Sequence, residues 1–299
     1  MKLLLTGALG YIGTELLFRL VHEPNLTIYA VDNDISAIKQ RLGGLFKFPN
    51  FNFINADITR ADEVAQIPKC DLTIHLAAIV GYVSCGNTTE LSYRTNVTGT
   101  EIVASLGTPI VFLSTGSVYG EIGDVCDESV ELNPKTLYAE TKMLGEKIVQ
   151  PLDHVILRPS TAYGLSYKVR HDLLVHTLAK TAVETGQIDL YQPQAMRSFY
   201  SVQKIAELLQ FIINNYDKFS RTTLNVGCEA GNVRKIDVAK SISELTGAKI
   251  VDREGLDPDS RDYNVNFQRL NSRWSNYEES FTSQINTIVE YYQSWEKSY

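Results

Sequence analysis

The stretch YAETK places Tyr138 and Lys142 four positions apart, on one face of a helix read over Leu137 to Gln150. A phenol has an ordinary pKa of ~10. It becomes a usable base near neutral pH when positive charges beside it, an ammonium among them, stabilise its anion. Upstream, FLSTGSVYG presents Ser114, Thr115 and Ser117. The Thr115 hydroxyl is placed to hold an alcohol that Tyr138 deprotonates. For each of these hydroxyls the competing reading is backbone capping at a strand end.

A second chemical feature opens the chain. TGALGYIG, Thr6 to Gly13, falls between an apolar run and an amphipathic helix read from Tyr11 to Val21, where a dinucleotide's pyrophosphate is held. Gly7 permits the tight turn, Gly10 lets the backbone approach the phosphates, and Gly13 lets the helix pack closely on the strand. Alone, the octapeptide reads equally as an ordinary turn. Asp32, about twenty residues further on, is suited to accept hydrogen bonds from ribose hydroxyls and to repel a 2′-phosphate, which favours NAD over NADP. Its other reading is a helix N-cap. Asp57 is suited to an adenine contact or to a cap.

These residues need elements to position them. KLLLT, LTIYAVD, FNFINAD, DLTIHLAA, PIVFLST and DHVILRP read as strands with helices between several of them, the pattern of an α/β, Rossmann-type doubly wound parallel sheet. Right-handed crossovers gather Thr6, Asp32, Asp57, Ala77, Ser114 and Arg158 along one edge. After Pro159 the rhythm changes to isolated helices, such as SVQKIAELLQFII, separated by irregular polar segments. The expected division is a cofactor-binding part over residues 1–158, joined by part of 190–226, and a smaller, mostly helical C-terminal substrate part over 159–299. The cleft between them is the natural substrate site.

Composition narrows the class. The 299 residues, 44% hydrophobic, suffice for a substantial core, and a net charge of -7 lacks the basic excess of a nucleic-acid or anionic-membrane binder. The apolar run of MKLLL stops at Thr6, short of a signal peptide's core, so a cytoplasmic protein is expected. No apolar stretch is long enough for a membrane span. Cys70, Cys85, Cys126 and Cys228 are dispersed and suggest neither a zinc site nor any other metal site.

TGALGYIG, Asp32, HLAA (His75 to Ala78), NVTGT (Asn96 to Thr100), STGSVYG, YAETK and RPSTAYG (Arg158 to Gly164) occur together in this order. The chain thereby resembles the extended short-chain dehydrogenase/reductases, specifically the NAD-dependent nucleotide-sugar epimerase/dehydratase group, over nearly its whole length. The resemblance implies Tyr138 as base, Lys142 as its electrostatic partner and ribose ligand, and Thr115 as the hydroxyl that orients the sugar. It implies NAD contacts from Gly7, Gly10, Tyr11, Ile12, Gly13, Asp32, Asp57, Ile58, Leu76, Ala77, Ala78, Asn96, Ser114, Tyr138, Lys142, Pro159 and Ser160. Among these, Asn96 is the structural support of the site, or else a simple helix residue.

Two departures refine the reaction. Sugar dehydratases of this kind carry an Asp-Glu or Ser-Glu pair directly after the active-site Thr or Ser, whereas this chain has Gly116 and Ser117. Dehydration therefore ranks below oxidation and reduction at C4. A nucleotide-sugar 4-epimerase is the simplest expectation, with a net 4-dehydrogenase or ketosugar reductase next and a non-catalytic dinucleotide sensor last. AAIVGYVSCG and DSRDYNVNF resemble a branch with GDP-heptose 4-dehydrogenases. Cys85 there is an acid/base candidate or a small buried packing thiol.

The substrate diphosphate needs local cations, for which Arg170, Arg197 and Arg261 are the candidates, with surface salt bridging as the alternative. Ser117 and Tyr163 complete the expected substrate contacts. His171 and Asp172 read as a helix start. The family resemblance implies a homodimer packed through the helices over Leu137–Gln150 and Asn96–Leu106.

Overall fold

The computed structural model describes residues 1–34, 42–120, 125–255 and 264–296. The first strands, β1 (Lys2–Thr6), β2 (Thr27–Asp32), β3 (Phe51–Asn55), β4 (Leu72–His75) and β5 (Ile110–Leu113), form where the apolar runs stand. Then come β6 (Val125–Cys126), β7 (His154–Pro159), β8 (Thr161–Tyr163), β9 (Gln187–Tyr191) and β10 (Met196–Ser201). The last are β11 (Thr222–Val226), β12 (Asn232–Arg234), β13 (Lys249–Arg253) and β14 (Asn264–Val265).

Seven of these strands make one sheet in the order β11-β7-β5-β4-β1-β2-β3, with every neighbouring pair parallel. The strand order reverses between β1 and β4, where Thr6 lies in register with His75. In an open α/β sheet that reversal leaves a crevice beyond the strands' carboxyl ends. All six strands read from the sequence are in this sheet, and β11 is a seventh that the reading missed.

The longer helices are α1 (Tyr11–Leu20), α2 (Leu137–Val149), α3 (Leu174–Thr185), α4 (Val202–Asn214), α5 (Lys235–Thr246) and α6 (Phe281–Glu296). Helix α4 buries Val202, Ile205, Leu208, Leu209 and Ile212, as its periodicity requires. Helix α4 packs into the core that β1 and α1 form. A second core joins Val175, Leu178, Ile188, Phe199, Ile242 and Ile288 from α3, β9, β10, α5 and α6. The C-terminal portion also contains short strands that the sequence reading did not find: β8, β10 and β12 form one small sheet and β9 and β13 another. Among the described residues no helix is long and apolar enough to cross a membrane.

Candidate active site

A cleft of about 650 Å³ opens at the carboxyl edge of the large sheet and extends beneath residues 168–173. The glycine turn forms one end. Gly7 has φ +72, and a Cβ there would stand 2.6 Å from the Ala77 nitrogen, so only glycine fits. A Cβ on Gly13 would stand 2.2 Å from the Gly7 carbonyl oxygen, which is how helix α1 comes so near the turn. No side chain caps α1, whose first residues Tyr11, Ile12 and Gly13 line the cleft, while the Gly10 N–H donates to the Gly7 carbonyl within the turn. Asp32 accepts from the Leu9 N–H at 2.9 Å and from Asp34 N–H at 3.1 Å. Asp32 pins the turn from the end of β2 while lining the cleft beside Asp57 and Ile58.

The chemical end lies beyond β5. Thr115 begins a short 3-10 turn, where its hydroxyl accepts from Ser117 N–H and donates to the Ser117 hydroxyl, both at 3.2 Å. Capping and cleft lining coexist in this residue. Tyr138 enters from the first turn of α2, whose start Thr136 fixes by accepting from Ala139 N–H. Leu76, Ala77, Ala78, Ser114, Ser117, Pro159 and Ser160 complete the lining on this side.

Lys142 lies deeper than its spacing revealed. It is 2% exposed and does not line the cleft, and its Nζ sits 4.1 Å from the centroid of the Phe112 ring. Among the described residues its ammonium has no hydrogen-bond acceptor from the protein. Burial pushes the Lys142 ammonium down to about 7, against the opposing pull of Glu146. Gly145 makes this depth possible, because a Cβ there would stand 2.4 Å from the Phe112 ring.

Behind the wall runs a directed hydrogen-bond chain. Thr100 donates to the Asn96 carbonyl at 2.7 Å, so His75 Nε2–H must donate to Thr100 Oγ1 at 3.0 Å. His75 Nδ1 then accepts from Thr6 Oγ1 at 2.7 Å, and Thr6 in turn accepts from Ala77 N–H. The ring is thereby fixed as neutral imidazole in one tautomer. Burial, reinforced by Lys142, holds its pKa down at about 3.

With this geometry in hand, the comparisons with known proteins are specific. The model of the NAD dependent epimerase/dehydratase family matches residues 3–227. The chain belongs to this family. A protein of Bacillus subtilis (strain 168) named "Uncharacterized UDP-glucose epimerase YtcB" is 28% identical over 268 residues, 83% of each chain. Among solved structures, UDP-glucuronic acid 4-epimerase from Bacillus cereus, in complex with UDP-glucuronic acid and NAD, superposes with a TM-score of 0.87. It is 21% identical, over 99% of this chain and 100% of that one. The dTDP-glucose 4,6-dehydratase of Bacillus anthracis str. Ames gives a TM-score of 0.84 at 20% identity, over 99% and 98%. This family is of the extended short-chain dehydrogenase/reductase type and its cofactor is NAD. The GDP-heptose likeness rests on its two sequence stretches alone.

The residues present fit NAD. The uncapped first turn of α1 suits a pyrophosphate, the glycine turn leaves no room for side chains, and the ammonium of Lys142 has no acceptor of its own.

Several expected contacts require correction. Arg158 turns away from the ligand edge into the interior, where Nε and Nη2 donate to Glu146 at 2.9 and 2.6 Å. Asn96 does not line the cleft and acts through Ile79, whose N–H and C=O it engages at 2.8 and 2.9 Å. Tyr163 is fully buried in the second core and donates to Glu279, out of reach of the cleft. Cys85 is also fully buried, with its thiol donating to the Ile79 carbonyl and burial raising its pKa, which favours the packing role.

Of the two candidate arginines among the described residues, Arg170 reaches the cleft, and it is paired bidentately with Asp172 at 2.6 and 2.5 Å. Arg197 is 3% exposed and bonds the Met196 carbonyl. Arg261 lies outside the described residues. The sequence reading missed the cleft residues Lys135, Thr136 and Lys168. Thr136, an N-cap type directly before a readable helix, carried a usable signal; the two lysines, in polar segments, carried none.

Proposed function

We propose that this protein is a nucleotide-sugar 4-epimerase acting on a UDP sugar. NAD, when bound, takes up and returns the hydride that interconverts a secondary alcohol and its ketone. Tyr138 removes the proton from the C4 hydroxyl and restores it, and the Lys142 ammonium favours the phenolate. Thr115, freed from Ser117, orients the sugar hydroxyl. Lys135, Lys168 and Arg170 supply the positive lining that a diphosphate needs in an otherwise acidic protein. The second core carries the substrate-binding part.

One observation carries the choice of epimerisation over dehydration. Among the described residues, the carboxylates lining the cleft are Asp32, Asp34 and Asp57, all at the β2 and β3 end and none beside Thr115 or Tyr138. Elimination of water needs an acid and a base where the sugar reacts, and among the described residues that end offers no carboxylate for either task. The UDP assignment draws on the names of the relatives.

The test is redox balance. Purified protein is incubated with UDP-glucose and UDP-glucuronic acid and with the C4 epimer of each, while reduced nicotinamide is followed by absorbance and product configuration by NMR. Epimer without accumulated reduced cofactor supports the reading; a ketosugar with reduced cofactor transfers the assignment to a net 4-dehydrogenase. We further propose a cytoplasmic homodimer. Exposed Val83, Leu91 and Tyr93 lie next to α2, where Tyr93 bonds Glu140, and sedimentation of the purified chain checks the association.

A further inference from the structure

Lys142 is enclosed by α2, β4, β5 and the segment Tyr82–Asn87. The titratable groups that act on it are Glu146 from its own helix, His75 from β4 and Cys85 from that segment, while Arg170 acts on Tyr138. His75 is neutral and the Cys85 thiol is buried, so Glu146 is the anion beside Lys142 among the described residues. That carboxylate is 5% exposed and held at both oxygens. Oε1 accepts from Arg158 Nε at 2.9 Å and from the Ser114 hydroxyl at 2.5 Å, and Oε2 accepts from Arg158 Nη2 at 2.6 Å. Arg158 is anchored in turn, donating from Nη1 to the Tyr119 hydroxyl at 3.0 Å. The carboxylate therefore cannot swing to the ammonium, and its effect on Lys142 is a fixed field reduced by Arg158.

We propose that Glu146 is a positioning residue whose charge, balanced against Arg158, sets the protonation that Tyr138 and Lys142 share. The proposal rests on the assignment of Tyr138 as base and Lys142 as its cation. A pair that only bolted β7 to α2 would alter stability when cut and leave that titration in place.

The experiment compares the full-length protein with Glu146→Gln, Arg158→Met and the neutral double variant. The readout is the phenolate absorbance of Tyr138, taken as the difference between each protein and the same protein carrying Tyr138→Phe, titrated with pH in the absence of substrate. The pH profile of kcat is the second readout. Removing the anion moves the coupled titration down, removing its balancing cation moves it up, each by about one pH unit or more, and the double variant returns close to the parent.

Either single change leaves a buried charge alone. Should one fail to fold, Ser114→Ala takes its place, predicted to move the titration upward by removing a hydrogen bond to Glu146. Titrations that stay in place, or that move the same way in both single variants, overturn the proposal. A parent with no Tyr138 phenolate signal below the ordinary phenol range overturns the assignment of the base itself, which distinguishes the two failures.

Discussion

Asn96 grips both polar groups of the Ile79 peptide, its Oδ1 accepting from the N–H and its Nδ2 donating to the C=O, while Nδ2 also donates to Thr141 at 3.0 Å. Asn96 stands in a turn of π-helix, Arg94–Thr98, of the kind that aims a side chain where a regular helix would not. Ile79 continues the cleft wall from Ala77 and Ala78. Asn96→Ala therefore leaves the Ile79 N–H without its acceptor and its C=O with the Cys85 thiol as donor, at a cost of ~1–3 kcal/mol for a group shut away from water. The expected outcome is a lower denaturation midpoint together with weaker NAD binding, read by thermal unfolding and by calorimetric titration.

Gly13→Ala forces a Cβ to within 2.2 Å of one backbone oxygen and 3.0 Å of another, neither of which can turn aside. The turn must open, and NAD affinity is expected to fall at least ~10-fold, equivalent to ~1.4 kcal/mol. Gly43→Ala is the control, because nothing lies within 4 Å of its added carbon. Equal affinity in the two variants would contradict the role of the turn.

Tyr138→Phe removes the proton carrier and retains the ring. Turnover should fall by ~10²–10⁴, the usual worth of a positioned acid or base, while NAD remains bound. Thr115→Val, which deletes the hydroxyl at constant shape, should lower turnover and also loosen the 3-10 turn that Thr115 caps. Single-turnover kinetics and the bound cofactor's absorbance measure both.

The fold holds His75 at about 3, well below the ordinary histidine value of 6.5. The unfolded chain therefore binds the proton more readily, so stability is full above about pH 6.5 and is lost as the pH falls from there toward about 3. His176, held by burial at about 4, adds to the same loss. Unfolding free energies from urea titrations between about pH 7 and about pH 4 should fall by at most ~1.4 kcal/mol per pH unit for each histidine, and the urea midpoint with them. His75→Gln should flatten the dependence, and a midpoint insensitive to pH would contradict the buried neutral imidazole.

Much of this was legible because parallel strands buried on both faces declare themselves as apolar runs, as β1, β2 and β5 do. β11 did not, since its run TTLNV is short and contains Asn225, a fully buried amide that serves Tyr119, Cys126 and Asn266. An amphipathic stripe announces that α4 is buried and leaves open which core it joins. Spacing put Tyr138 and Lys142 on one face, but the depth of Lys142 depends on Gly145 meeting Phe112 across the fold. The inward turn of Arg158 depends in the same way on Glu146, a partner that no local pattern connects to a strand end.

The most direct test of the central claim uses a UDP sugar carrying deuterium at C4, incubated with the enzyme and NAD in ordinary water. If hydride leaves and returns within one active site, the inverted product retains deuterium at C4 and no reduced cofactor accumulates. Product whose C4 position carries hydrogen from solvent, or a 4-ketosugar formed with stoichiometric reduced cofactor, would contradict the account.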